Sequence, residues 1–342
     1  MPRNPYSKSG SSGQSSLLER CLIIGGLLGI FSFATNFHSI LLGGGTNAKT
    51  RKTFRRDKSK PKESLRIAFV GNSILFVNDS PGLLARLIEA SGKYHVMYES
   101  CMKPGMYLNI IHSDMGGCDP GLTQSHQDLT MDKLFDNTTQ SWDYVVLNDQ
   151  TKAPATPMEQ MTTNVLLKRK FAQQSWDTGA TPIFLQTAAY QHTKTEFGTF
   201  EQFTKLLHDG YHDYANEVTE CFQKRRQSDT SIGTRRPKEA RVSPVGEAYA
   251  EVKSKNVELW EQLYMADGVH PTPLGTWLQV CVLYATMLNE EPPDYDPAFW
   301  KTGPGTYRTS GPLPTQEQAT ELWSAALRVT GIMDDQFYVD HS

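Results

Sequence analysis

Ser73, His270 and Asp267 are the residues of this chain whose types and order can carry out acyl transfer. A serine hydroxyl is a poor nucleophile until a base takes its proton. A histidine serves as that base when a carboxylate fixes its tautomer and stabilises the imidazolium. Asp267-Gly268-Val269-His270-Pro271 offers the carboxylate and the ring in one loop, at a spacing that lets them meet. Gly71-Asn72-Ser73 offers the hydroxyl. Either fragment alone is ordinary. A serine commonly caps a turn into a helix, and an Asp-x-x-His sequence is usually a solvated loop.

Two further fragments suit the charge that develops on a carbonyl oxygen under attack. Asn148, in Val145-Val146-Leu147-Asn148-Asp149-Gln150-Thr151, has an amide to donate. Gly105, in Lys103-Pro104-Gly105, lets a substrate approach a backbone N–H. As turn residues they would mean little. Four such elements following successive strands, in this order, are hard to assign to chance.

The elements that must position them read as a regular alternation. Leu65–Val70, Tyr94–Ser100, Tyr144–Leu147, Pro182–Gln186 and Ala240–Val245 are short apolar or alternating runs, expected as strands. Pro81–Ser91, Met158–Trp176, Phe200–Phe222 and Leu274–Leu288 have helical spacing, and Gln223–Lys238 reads as a polar loop. The pattern implies an α/β fold with a parallel sheet covered on both faces, and ligands beyond the carboxyl ends of its strands. Ser73, Gly105 and Asn148 are expected at that edge.

The order Gly-Asn-Ser, Gly, Asn, Asp-x-x-His resembles the SGNH (GDSL-like) hydrolase superfamily, in its branch with Gly-Asn-Ser in the first block. Phe69–Leu84, Trp142–Leu147, Val242–Ala248 and Leu263–Leu278 carry the likeness, the last most specifically, and it spans residues 65–290. Asn72 stands where the best-known first block has Asp, and Val146 where the third has Gly. The branch often has Gln at the place of Asn148. The resemblance implies a flavodoxin-like three-layer α/β/α sandwich and a Ser73–Asp267–His270 triad. The backbone N–H groups of Ser73 and Gly105, with the Asn148 side chain, would form the oxyanion hole. It implies a serine esterase acting on acyl or acetyl esters, carbohydrate esters among them, without metal or organic cofactor. An acyltransferase would use the same triad, and a membrane-tethered binding protein would leave it idle.

The rest of the 342-residue chain bounds these readings. Residues 1–20 form a polar tail and 21–42 an uncharged apolar segment, expected to be a membrane anchor or a signal segment. Residues 43–64 read as a basic flexible linker and 65–342 as the catalytic domain. Either reading of 21–42 places the domain in the secretory pathway, anchored or secreted, although the basic run after the segment favours a cytoplasmic flank. Net charge is −3, which gives no general attraction to nucleic acid. The five cysteines include no Cys-x-x-Cys pair. Cys101 and Cys118 can pair in an oxidising compartment or remain buried thiols. His208 and His212 have the spacing of metal ligands, but Asp209 and Asp213 beside them read as a solvated helix face. Asn137-Thr138-Thr139 is a glycosylation sequon. Asn78-Asp79-Ser80 also fits that pattern, with Pro81 following. Trp142, Trp260 and Trp277 are expected in the core.

Overall fold

Ile67, Ala68, Phe69 and Val70 put apolar side chains on both sides of the strand they form, which suits a strand with a layer of helices on each face. In the computed structural model this strand is β1 (Glu63–Gly71), and it lies inside a five-stranded sheet. The other strands are β2 (Tyr94–Met102), β3 (Tyr144–Leu147), β4 (Thr181–Leu185) and β5 (Arg241–Ser243). Every pairing is parallel, in the order β2-β1-β3-β4-β5, one of the two common doubly wound arrangements. The structure describes residues 62–112, 118–119, 129–136, 138–139, 141–192, 195–229, 236–237, 239–300 and 311–333. The expected tail, apolar segment and nearly all of the linker lie outside them. Among the described residues no helix is long and apolar enough to cross a membrane.

The helices are α1 (Ser73–Phe76), α2 (Ser80–Ser91), α3 (Leu108–His112), α4 (Met131–Leu134), α5 (Pro157–Leu166) and α6 (Ala172–Thr178). They continue with α7 (Phe200–Ser228), α8 (Val245–Lys255), α9 (Val257–Glu261), α10 (Pro273–Leu288) and α11 (Gln316–Val329). Side chains alternate across β1. Ile67 and Phe69 join a core with Leu83 and Leu87 of α2, Trp277 of α10 and Leu322 of α11. Ala68 and Val70 join a second core with Phe171, Trp176, Tyr214 and Phe222. Each large side chain so buried contributes roughly 1.5–3 kcal/mol, so the sheet is fixed from both faces. Trp142, Trp260 and Trp277 are all buried in these cores.

Several boundaries differ from the periodicity. Helix α7 continues to Ser228 rather than ending at Phe222. Its last residues are Gln, Lys and Arg, which favour helix, and its terminal arginines suit the negative end of the helix dipole. The expected helix 158–176 is interrupted by a π turn, Leu167–Phe171. The expected strand 240–245 is cut short because Val245, Ala248, Tyr249 and Val252 form the buried stripe of α8. Helix α11 opens with a capping box between Thr315 and Gln318.

The register aligns Gly71 of β1 with Met102 of β2, and Val70 with Leu147 of β3. Ser73, Gly105 and Asn148 therefore follow the carboxyl ends of three adjacent strands.

Candidate active site

The turn out of β1 is built for close approach. A Cβ on Gly71 would overlap the Asn148 carboxamide oxygen, so only glycine fits. Asn72 is extended and caps α1, its Oδ1 accepting from the Ile74 amide at 3.2 Å. Ser73 thus begins a one-turn helix with its hydroxyl at the sheet edge.

The Ser73 hydroxyl donates to His270 Nε2, with 2.8 Å between the two atoms. On the other side of the ring, Nδ1 donates to Asp267 Oδ2 at 2.6 Å. Asp267 Oδ1 accepts from the amides of Val269 at 2.9 Å and His270 at 3.0 Å. Burial works to raise the Asp267 carboxyl, but the His270 ring and these two amides outweigh it and hold it below the ordinary carboxylate range. The loop is closed by an antiparallel bridge between Tyr264 and Pro271, and Gly268 turns it with a φ of +68°. The segment after β4 supports it. The Gln191 amide donates to Gly268 O at 2.8 Å and the Tyr264 hydroxyl to Ala189 O at 2.8 Å.

Gly105 follows β2 with a φ of +66°, and nothing lies within 4 Å of where a Cβ would stand. Its loop is strapped to the Gly71–Ser73 turn: the Lys103 amide donates to Gly71 O at 2.9 Å, and Asn72 Nδ2 donates to Met106 O at 3.1 Å. Among the described residues the backbone N–H groups of Ser73 and Gly105 meet no acceptor.

Asn148 is turned the other way. Its Nδ2 donates to Asn72 Oδ1 at 2.8 Å and to Asp149 O at 3.1 Å, and its Oδ1 accepts from the Asn72 amide at 3.1 Å. The side chain is fully buried. Both amide hydrogens are committed inside the protein in this structure. Asn148 holds the Gly71–Asn72 turn.

Two residues that the sequence presents as turn polar groups have work in the site. Asp149 is fully buried. It accepts from the amides of Leu108 at 2.7 Å and Gln150 at 2.8 Å, the Thr163 hydroxyl at 2.8 Å and the Tyr214 hydroxyl at 3.1 Å. Burial pushes its carboxyl up against these donors. Its bond to Leu108 fixes the start of α3, next to the Gly105 loop. Asn78 and Asp79 have consecutive left-handed φ values of 59° and 55°, a strain of order 1–3 kcal/mol each. Asp79 caps α2 and pairs with Arg86 at 3.0 Å. The Asn78 carboxamide is buried and donates to Pro271 O at 3.2 Å and Thr276 Oγ1 at 2.9 Å, so it is no acceptor for a glycan. The sequon at Asn137 lies outside the described residues.

His208 bonds through Nδ1 to Glu247, and its ring stands 4.2 Å from that of His212. Among the described residues no cluster of three or more His, Cys, Asp or Glu side chains is arranged to hold a metal ion. Cys101 and Cys118 form a disulfide that ties β2 beside the site, while Cys221 and Cys281 are free.

The fold is shared with the crystal structure of a DUF4886 family protein from Bacteroides uniformis. The two are 14% identical, with a TM-score of 0.53, over 80% of this chain and 98% of that one. A protein from Slackia heliotrinireducens, provisionally described as an SGNH hydrolase, is 21% identical with a TM-score of 0.40, over 66% of this chain and all of its own. The first likeness establishes the α/β fold alone, and the second is too distant to add to it. No family model and no curated protein matches the chain.

Proposed function

We propose that the protein is a serine esterase of the SGNH type. The observation that carries the reading is the 2.8 Å contact between His270 Nε2 and Ser73 Oγ, made across 197 residues of sequence. A serine that merely capped a helix and a histidine in a solvated loop would have no reason to converge. In the proposed reaction Ser73 Oγ attacks the ester carbonyl while its proton passes to His270 Nε2. Asp267 holds the imidazolium in place. The N–H groups of Ser73 and Gly105 stabilise the oxyanion. His270 then protonates the departing alcohol, and a water deprotonated by the same ring releases the acid.

The His270 and Asp267 side chains are 30% and 45% exposed. Water therefore reaches the site, as the hydrolytic step requires. The substrate class is acyl or acetyl esters, with carbohydrate esters included through the resemblance. The Cys101–Cys118 disulfide suits an oxidising compartment. It supports the reading of residues 21–42 as an anchor, or a cleaved signal, that sends the domain along the secretory route. The reading is tested by labelling with a fluorophosphonate probe. The wild type should label, the Ser73→Ala variant should not, and a folded wild type that stays unlabelled overturns it.

A further inference from the structure

Nothing in the bond between Asp267 and His270 decides how far their loop stands from Ser73. The nucleophile segment and this loop meet only through tertiary contacts. Gln279 of α10 donates to Ile74 O at 3.3 Å and to Ser80 Oγ at 2.8 Å, which seats the nucleophile segment on that helix. Asn78 instead reaches the loop itself. Its Nδ2 donates at 3.2 Å to the carbonyl of Pro271, the residue directly after His270, and at 2.9 Å to Thr276 Oγ1.

The contact is stiff at both ends. Asn78 is 4% exposed and held at φ 59°, ψ 22°. The next residue, Asp79, is pinned by its bonds to the Gly82 amide and to Arg86. At the far end the ring of Pro271 restricts its φ, and the bridge to Tyr264, with the bonds Met265 N–H to His270 O and Thr272 N–H to Leu263 O, holds the main chain on both sides of it. A left-handed backbone at a non-glycine residue is unfavourable and persists only where the surroundings demand it. Here it aims a buried carboxamide at the main chain beside the base.

We infer that Asn78 is a positioning residue that sets the separation of His270 from Ser73. The inference rests on the esterase reading. It differs from a stability role because loss of the contact should slow the chemical step while leaving substrate binding alone. Displacement of a catalytic group by about 1 Å can cost on the order of 100-fold in rate.

The experiment compares full-length wild type with Asn78→Asp and Asn78→Gly. Both replacements tolerate a left-handed backbone, so folding is preserved as far as the site allows. Asp keeps the shape but turns an acceptor toward Pro271 O, and Gly deletes the group. Folded fraction is measured by circular dichroism, and hydrolysis of p-nitrophenyl acetate and the rate of fluorophosphonate labelling are measured well below the melting temperature. The expected result is a fall of about 10- to 100-fold in kcat and in labelling rate per folded protein, with KM changed by less than about threefold. Wild-type kcat in either folded variant overturns the inference and leaves the triad standing. A wild type that neither labels nor hydrolyses, with Ser73→Ala indistinguishable from it, removes the esterase reading and this inference with it.

Discussion

Asn148 and Asn72 hold each other from both sides: the Asn148 amide donates to the Asn72 side-chain oxygen at 2.8 Å, and its oxygen accepts the Asn72 main-chain N–H at 3.1 Å. The pair closes over Gly71 and fixes the direction in which the chain leaves β1 for Ser73. Asn148→Ala would strand the Asn72 amide and open a hole at a site without solvent. The expected loss is about 2–4 kcal/mol, from the unsatisfied group and the cavity together, read as a lower urea midpoint. An oxyanion donor behaves differently, costing about 100- to 1000-fold in kcat with the fold intact. A variant of unchanged stability and strongly reduced kcat would favour the donor role.

The two glycines flanking the site should respond in opposite ways to alanine. At Gly71 the new methyl meets the Asn148 carboxamide, so a fully buried pair must move. At Gly105 there is open space, and the cost is only that of a left-handed φ of +66°, about 1–2 kcal/mol. Gly71→Ala is therefore expected to express poorly or melt well below wild type. Gly105→Ala should fold and melt closer to wild type than Gly71→Ala does. Equal stabilities for the two variants would contradict this packing.

The convergence of Ser73 with His270 was legible in sequence because each fragment carries a local signal and the fragments follow successive strands in order. The apolar runs fixed the parallel sheet for the same reason: a strand buried on both faces has little choice of residue types. Asn78 and Asp149 gave no such signal. A left-handed Asn looks like any turn residue, and a carboxylate after an apolar run looks solvated until the helices covering it are known. The inward turn of Asn148 was equally hidden, since it depends on Asn72 offering a side-chain acceptor opposite it. Helices α8 and α11 did leave a trace, in the spacing of Val245, Ala248, Tyr249 and Val252 and in the Thr315/Gln318 capping box.

Replacing Ser73, the proposed nucleophile, should separate chemistry from folding. Ser73 occupies the first position of α1, where its side chain caps nothing, and its hydroxyl bonds only to His270 among the described residues. Ser73→Ala is expected to melt within a few degrees of wild type and to lose several orders of magnitude in kcat. Hydrolysis of p-nitrophenyl acetate by the purified variant at more than about one tenth of the wild-type rate would exclude Ser73 as nucleophile.

Asp267 ties the site to pH through stability as well as rate. Its carboxyl lies below the ordinary carboxylate range: burial opposes this, but the bonds from the His270 ring and from the His270 and Val269 amides prevail. A carboxyl whose value is depressed by folding stabilises the native state above its unfolded value. That stabilisation is lost as pH falls through the depressed native value. The window therefore lies below the ordinary aspartate value of 3.8, and the effect is small because the side chain is 45% exposed and screened by solvent. Asp267→Asn is expected to be slightly less stable than wild type near pH 6, and the gap should narrow as acidification protonates the Asp267 carboxyl and leaves both proteins with a neutral group. Its rate should fall by about 10,000-fold at pH 7, since an amide no longer selects the tautomer with Nδ1 protonated. Urea midpoints of the two proteins near pH 6 and at acid pH check the first expectation and esterase kinetics the second. A stability gap that widens on acidification would mean that folding raises the Asp267 carboxyl, with burial outweighing its bonds to the His270 ring and the His270 and Val269 amides.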